Sequence, residues 1–280
     1  MNNSIRKYFP IFVLPTLAAF VIGFIVPFIL GIYLSFCKFT TVTDAKFVGI
    51  SNYIKIFGDK NFLHSIWYTA AFTVVSVILI NLLAFVVAML LTKGFKGTNI
   101  FRTVFFMPNL IGGIVLGYIW QIILNGILAH YGVTLQFSAT YGFWGLIILM
   151  CWQQIGYMMI IYIAGIQNIP TELIEAAKID GATSWQSLTN VVLPMVMPSI
   201  TICTFLTLTN GFKLFDQNLA LTAGGPSHQS ELLALNIFDT FYTKMGYEGV
   251  GQAKAVIFFI LVALIAFVQL RATRSKEVQQ

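Results

Sequence analysis

Six long runs of apolar residues limit what this chain can fold into. They extend approximately from Ile11 to Phe36, Tyr68 to Thr92, Thr103 to Asn125, Trp144 to Ile166, Val192 to Phe212 and Gly251 to Leu270, and the first five contain no Asp, Glu, Lys or Arg. About 20 apolar residues suffice to cross a bilayer, because an α-helix rises ~1.5 Å per residue and the hydrocarbon core is ~30 Å thick. Inside lipid every backbone N–H and C=O must find its partner within the protein, and a single apolar run does so only as a helix. The runs therefore predict an all-α, polytopic membrane protein with about six transmembrane helices, forming one transmembrane domain over residues 1–280. Pro15, Pro27, Pro108 and Pro198 fall inside or at the edges of the runs and predict bends.

Composition excludes a large soluble core, since 58% of residues are hydrophobic, only 9% are charged, and mean hydropathy is +0.84. The 16 basic and 10 acidic residues leave a net charge of +6. The basic residues are scattered between apolar runs and form no patch interleaved with aromatics, which argues against nucleic acid as a partner. They fix orientation instead. An even number of spans puts both termini on one side, and the segment from Lys93 to Arg102 has three basic and no acidic residues, whereas the Lys38 to Ser65 loop mixes both signs. By the positive-inside tendency, both termini, the Lys93–Arg102 segment and Lys178 are expected in the cytoplasm, with Arg6, Lys7, Arg271, Arg274 and Lys276 among the inside charges.

Cys37, Cys151 and Cys203 are far apart, without a CxxC or clustered His, and read as small apolar residues. Phe36 precedes Cys37 where a lipoprotein cleavage box needs a small residue, so the first apolar run is expected to remain as a span. His64, His130 and His228 fall in separate external segments, and no Ser/His/Asp or Cys/His constellation is present. There is no G-x-x-x-x-G-K-[ST] phosphate loop, since Gly94-Phe95-Lys96-Gly97-Thr98 lacks the spacing, so no ATP site of that type is expected on this chain.

Between the fourth and fifth runs lies a conspicuously polar segment, residues 169–194. Pro170 suits a first helical turn, and a helix through Glu172-Leu173-Ile174-Glu175-Ala176-Ala177-Lys178-Ile179 is too short to cross a bilayer, so it lies beside it. Asp180-Gly181 breaks it, and Thr183-Ser184-Trp185-Gln186 has capping-box spacing, which starts a second helix. Leu173, Ala176 and Ala177 share a face on which two alanines leave room for another backbone. On these grounds the segment is either a docking knob or an ordinary surface turn.

The pattern Glu175-Ala176-Ala177, then Asp180-Gly181-Ala182 and Leu193-Pro194, closely resembles the EAA loop of permease subunits of bacterial binding-protein-dependent ABC importers. Phe47-Val48-Gly49-Ile50-Ser51-Asn52-Tyr53, Arg102 to Pro108, Ile169-Pro170, Phe212-Lys213-Leu214-Phe215-Asp216 and Leu221-Thr222-Ala223-Gly224-Gly225-Pro226 are similar to the sugar-importing branch that includes maltose and glycerol-phosphate permeases. The resemblance implies a type I importer permease fold in the bacterial plasma membrane, in which Glu172, Glu175, Ala176, Ala177, Asp180, Gly181 and Ala182 form a coupling helix seated on an ATPase. It further implies a second homologous permease, two ATPase subunits that bind ATP and Mg, and an extracellular solute-binding protein that delivers a sugar or a modified polyol. The loop between the third and fourth spans is short, so no large external domain of the maltose type is expected.

Polar side chains inside spans are costly and mark a possible path for solute. Tyr118, Gln121 and Asn125 share a helix face by spacing, as do Gln153 and Tyr157, and Asn210, Lys213 and Gln217 repeat the pattern with Asp216 nearby. Amides and aromatic faces suit a polyhydroxylated solute, although amides also serve as hydrogen bonds between helices. The rival function is an ion-gradient-driven carrier, whose mark would be an ionisable residue at mid-membrane; the first five runs have none.

Overall fold

In a computed structural model, residues 2–94 and 96–274 are described. Lys276, and the side chains of Arg6, Lys7 and Arg274, lie outside the described part. In chain order the helices are α1 (Asn2–Phe20), α2 (Val26–Ser35), α3 (Ser51–Phe57), α4 (Lys60–Leu91), α5 (Thr98–Phe106), α6 (Gly113–Ala129) and α7 (Ala139–Gln167). After these come α8 (Thr171–Ile179), α9 (Ser184–Ser187), α10 (Leu193–Met195), α11 (Met197–Phe212), α12 (Asp216–Leu221), α13 (Leu233–Tyr242) and α14 (Glu248–Arg274). Among the described residues four stretches are long and apolar enough to cross a bilayer unbroken, Ile11–Ser35, Lys60–Leu91, Ala139–Gln167 and Glu248–Thr273.

The third and fifth expected spans are bent, as Pro108 and Pro198 predict, and each is a pair of helices rather than one straight helix. Thr98–Leu110 and Gly113–Ala129 meet at 102°, and Ser184–Met195 and Met197–Phe212 meet at 69°. In the first pair Pro108 opens a 3₁₀ turn at Met107–Leu110, after which Ile111 and Gly112 are extended, with ψ of 131° and 140°. In the second, Pro198 sits in the first turn of α11, so it donates no backbone bond back across the break at Val196. Pro27 acts more mildly. It cannot donate to the carbonyl four residues back, and a π turn at Val21–Ile25, closed by Val26 N–H on Val21 O, carries the helix past it.

The chain falls into two compact units, one of residues 1–60 and 237–260, the other of residues 61–236 and 261–280. In the first, β1 (Cys37–Lys38) and β2 (Lys46–Phe47) form a small antiparallel ribbon. Buried Asn52 donates to the carbonyls of Ser35 and Cys37, both at 2.9 Å, which fixes α3 against the end of α2. Lys254 of α14 is completely buried, with Nζ 2.8 Å from Asp59 Oδ2 and 2.7 Å from Thr240 Oγ1.

The second unit is built around α7, whose Leu146, Leu149, Met150, Met158 and Tyr162 are buried in the core. Its glycines set the packing distance. A Cβ built on Gly156 would lie 1.8 Å from Phe105 O of α5, and one on Gly165 would lie 2.2 Å from Ser199 Oγ of α11. Small residues let backbones approach in this way, which drives helix association in lipid where burial alone gives little. Asn81 of α4 donates to Thr207 Oγ1 of α11 at 2.9 Å and accepts from Tyr162 of α7 at 2.7 Å, so one amide ties three helices together.

Candidate functional site

The polar segment folds as its residues predict. α8 begins after Pro170 and ends at Ile179. Its C-terminus is closed by two hydrogen bonds, Gly181 N–H to Lys178 O at 3.1 Å and Ala182 N–H to Ala177 O at 2.9 Å. This closure requires a left-handed residue, and Gly181 has φ +79°. The capping box then forms: Thr183 Oγ1 accepts from Gln186 N–H at 3.3 Å, and Gln186 Oε1 accepts from Thr183 N–H at 2.8 Å.

The outcome is a short, hydrogen-bonded helix–turn–helix whose side chains are presented outward. Glu172, Glu175, Ala176, Asp180 and Gly181 are exposed, Ala177 and Ala182 are half-buried, and Ile174 packs back onto the core. The expected face of Leu173, Ala176 and Ala177 remains open, with Leu173 42% exposed. Two residues absent from the expected set stand out, Ile179 at 85% and Trp185 at 71% exposure, on either side of the glycine turn. Large apolar side chains exposed beside carboxylates suit a protein partner that offers an apolar cleft with a basic rim. The signal was present in the sequence, as apolar side chains within its most polar stretch.

The four expected path amides, Gln121, Asn125, Gln153 and Asn210, are engaged within the chain. Gln121 donates to Leu221 O at 3.1 Å, and Asn125 accepts from Leu135 N–H at 2.9 Å. Gln153 is buried, donates to Ile111 O at 3.4 Å and accepts from Gln217 Nε2 at 2.8 Å. It thereby serves a carbonyl freed by the break between α5 and α6. Asn210 donates to Gln154 Oε1 at 3.1 Å. Tyr157 is half-buried beside Phe106, Tyr118 is exposed, and Lys213 and Asp216 are exposed. One spacing argument is corrected: Asn210, Lys213 and Gln217 do not share a helix face, because α11 ends at Phe212 and Gln217 belongs to α12. The fold brings the start of α12 against the start of α6 instead, where a Cβ on Gly113 would lie 2.7 Å from Asp216 Cβ.

Apolar helices long enough to span a bilayer, two bent helix pairs and an outward-facing polar helix–turn–helix define a polytopic membrane protein with an exposed polar segment between its spans. The chain belongs to the family described as binding-protein-dependent transport system inner membrane component, whose pattern matches residues 80–275. It is 44% identical to a probable starch degradation products transport system permease protein of Thermoanaerobacterium thermosulfurigenes, over 96% of this chain and 94% of that one. It is 31% identical to a multiple sugar-binding transport system permease protein of Streptococcus mutans, over 99% of both. Among solved structures, a bacterial ABC transporter involved in import of the acidic polysaccharide alginate superposes with a TM-score of 0.82 at 20% identity, over 97% of each chain. The chain thus has the type I ABC importer permease fold. Its family is one of transport components and not of catalysts, and an ion-driven carrier is set aside.

Proposed function

We infer that this chain is one half of the translocation path of an ATP-driven importer for a sugar or oligosaccharide delivered by an extracellular binding protein. The sugar class is supported by relatives named for starch degradation products and for multiple sugars, and by a fold shared with a transporter of a polysaccharide. A second homologous permease completes the path, and two ATPase subunits bind ATP and Mg. Both termini and the 169–194 loop face the cytoplasm.

The observation that carries the reading is the outward presentation of α8. Glu175 is exposed, Ile179 and Trp185 project beside it, and the hydrogen-bonded turn at Gly181 holds them in fixed relation. A rigid knob transmits force from a moving partner, where a flexible loop would absorb it. Tyr118, Lys213 and Asp216 are the path candidates with exposed side chains, while Gln121, Gln153 and Asn210 are bonded within the chain and hold its helices.

Co-purification with the ATPase subunits tests the docking role. Glu175→Ala removes a charge, and Gly181→Asp places a side chain on a left-handed backbone, which costs about 1–2 kcal/mol in that turn. Both variants are expected to insert normally, to retain less ATPase and to import less. Retention of the partner with normal uptake in both would refute the assignment.

A further inference from the structure

The turn from α4 to α5 holds a polar cleft of about 390 Å³ that the transport reading does not use, lined by Thr92, Gly97, Asn99, Arg102 and Gln167 among others. Arg102 is half-buried, and its Nε is buried without a hydrogen-bond partner. A buried guanidinium N–H left without an acceptor is destabilising, so a group that completes it is expected at this place. None of the residues that line the cleft is acidic, and no Asp or Glu occurs between Asp59 and Glu172 in the sequence. Exposed Lys93 and Lys96 add positive charge. α5 starts on Gly97 at φ +92° with no side-chain cap, so its positive end is also uncompensated by a side chain.

Leu91 and Ile100 add apolar surface to the cleft, and the helices that flank it expose Leu90, Phe101 and Val104 at 52%, 47% and 54%. Gln167, which lines the cleft, closes α7 just before α8 begins, so the cleft lies at the membrane face from which the docking helix emerges. A guanidinium fork matches phosphate, like carboxylate, in shape and charge, and basic pockets at the cytoplasmic ends of spans suit the phosphate of lipid headgroups. Exposed apolar side chains on α5 offer room for acyl chains, which a free phosphate would leave uncovered.

We propose that this cleft binds the phosphate headgroup of an anionic phospholipid, with Arg102 as its principal hydrogen-bond donor. The choice of the cytoplasmic leaflet rests on the orientation inferred above. The headgroup chemistry does not.

The test uses the whole transporter, purified with its partner subunits and reconstituted in nanodiscs of phosphatidylcholine with phosphatidylglycerol. Phosphatidylglycerol retained per complex is counted by native mass spectrometry. The wild type is expected to retain it selectively, and Arg102→Gln to lose about tenfold of that retention. Arg102→Lys should keep part of it, Lys55→Gln all of it, and excess inorganic phosphate should fail to displace it. Equal retention by Arg102→Gln and the wild type would overturn the proposal. So would displacement by inorganic phosphate, which would make the occupant a soluble anion, or unchanged retention with loss of ATPase subunits, which would make it an acidic partner side chain. Should Arg102→Gln not assemble, absence of phosphatidylglycerol selectivity in the wild type would overturn it alone. Lipid retention is read without solute or ATP, so its failure is distinct from failure of the transport reading.

Discussion

Gly156→Ala is the most demanding single substitution that this fold implies. The added methyl would lie 1.8 Å from Phe105 O, 2.3 Å from Phe105 C and 2.7 Å from Phe106 N, where real Cβ atoms do not approach closer than 3.0 Å. All three obstacles are backbone of α5, so no side chain can rotate away. The helices must part by at least about 1.2 Å, and interiors packed at crystal density do not yield that much without losing contacts over the whole crossing. Overpacking by one methylene already costs about 1–3 kcal/mol, so ~3 kcal/mol or more is the expected scale, equivalent to a fall of about 5–10 °C in melting temperature. Gly126→Ala on α6 is the control, because a Cβ there meets nothing within 4 Å and Ala favours the helix. The assay is thermal denaturation of the purified complex in one detergent, alongside the amount of complex assembled. A Gly156→Ala protein that melts with the wild type would refute the claim that α5 and α7 pack backbone to backbone.

The Lys254–Asp59 pair should respond unequally to its two partners. Asp59→Asn leaves a fully buried ammonium without its carboxylate and is expected to cost about 3–5 kcal/mol, whereas after Lys254→Met the 26% exposed Asp59 keeps access to water, so the loss should be smaller; the reverse order in denaturation would sink this account. For orientation, Lys178→Cys and Lys55→Cys in a background lacking Cys37, Cys151 and Cys203 should differ towards a membrane-impermeant thiol reagent in intact cells, and labelling at 178 from outside would contradict a cytoplasmic α8. For the path, Gln121→Leu and Gln153→Leu should lower the yield of assembled complex without changing the solute concentration for half-maximal uptake, because each amide is already bonded within the chain. Lys213→Gln and Asp216→Asn should raise that concentration about tenfold or more in fully assembled complex, on the scale of one lost hydrogen bond to a charged group; no change in either removes them from the path.

Much of this protein was readable from residue types and spacing, because lipid leaves a chain few choices. Runs without charge must become helices, so the number and order of apolar segments followed from length and composition alone. The polar segment of residues 169–194 was equally legible. Pro170, Gly181 and the Thr183–Gln186 pair act through contacts a few residues apart, and these form in the structure as the sequence implies. The amide stripes were visible too, but not what they bond to. Gln153 meets Ile111 O and Gln217 through breaks at Ile111–Gly112 and after Phe212, and spacing rules that assume one straight helix carry no information across a break. Lys254 could be seen as a charge in the last span, but Asp59, 195 positions earlier, could not be named as its partner. Gly156 looked like any glycine in an apolar run until α5 was laid across it. Local chemistry thus determined which segments are helices and where they start and stop, while the close approach of backbones distant in sequence decided which polar groups are bonded within the chain and which stay exposed.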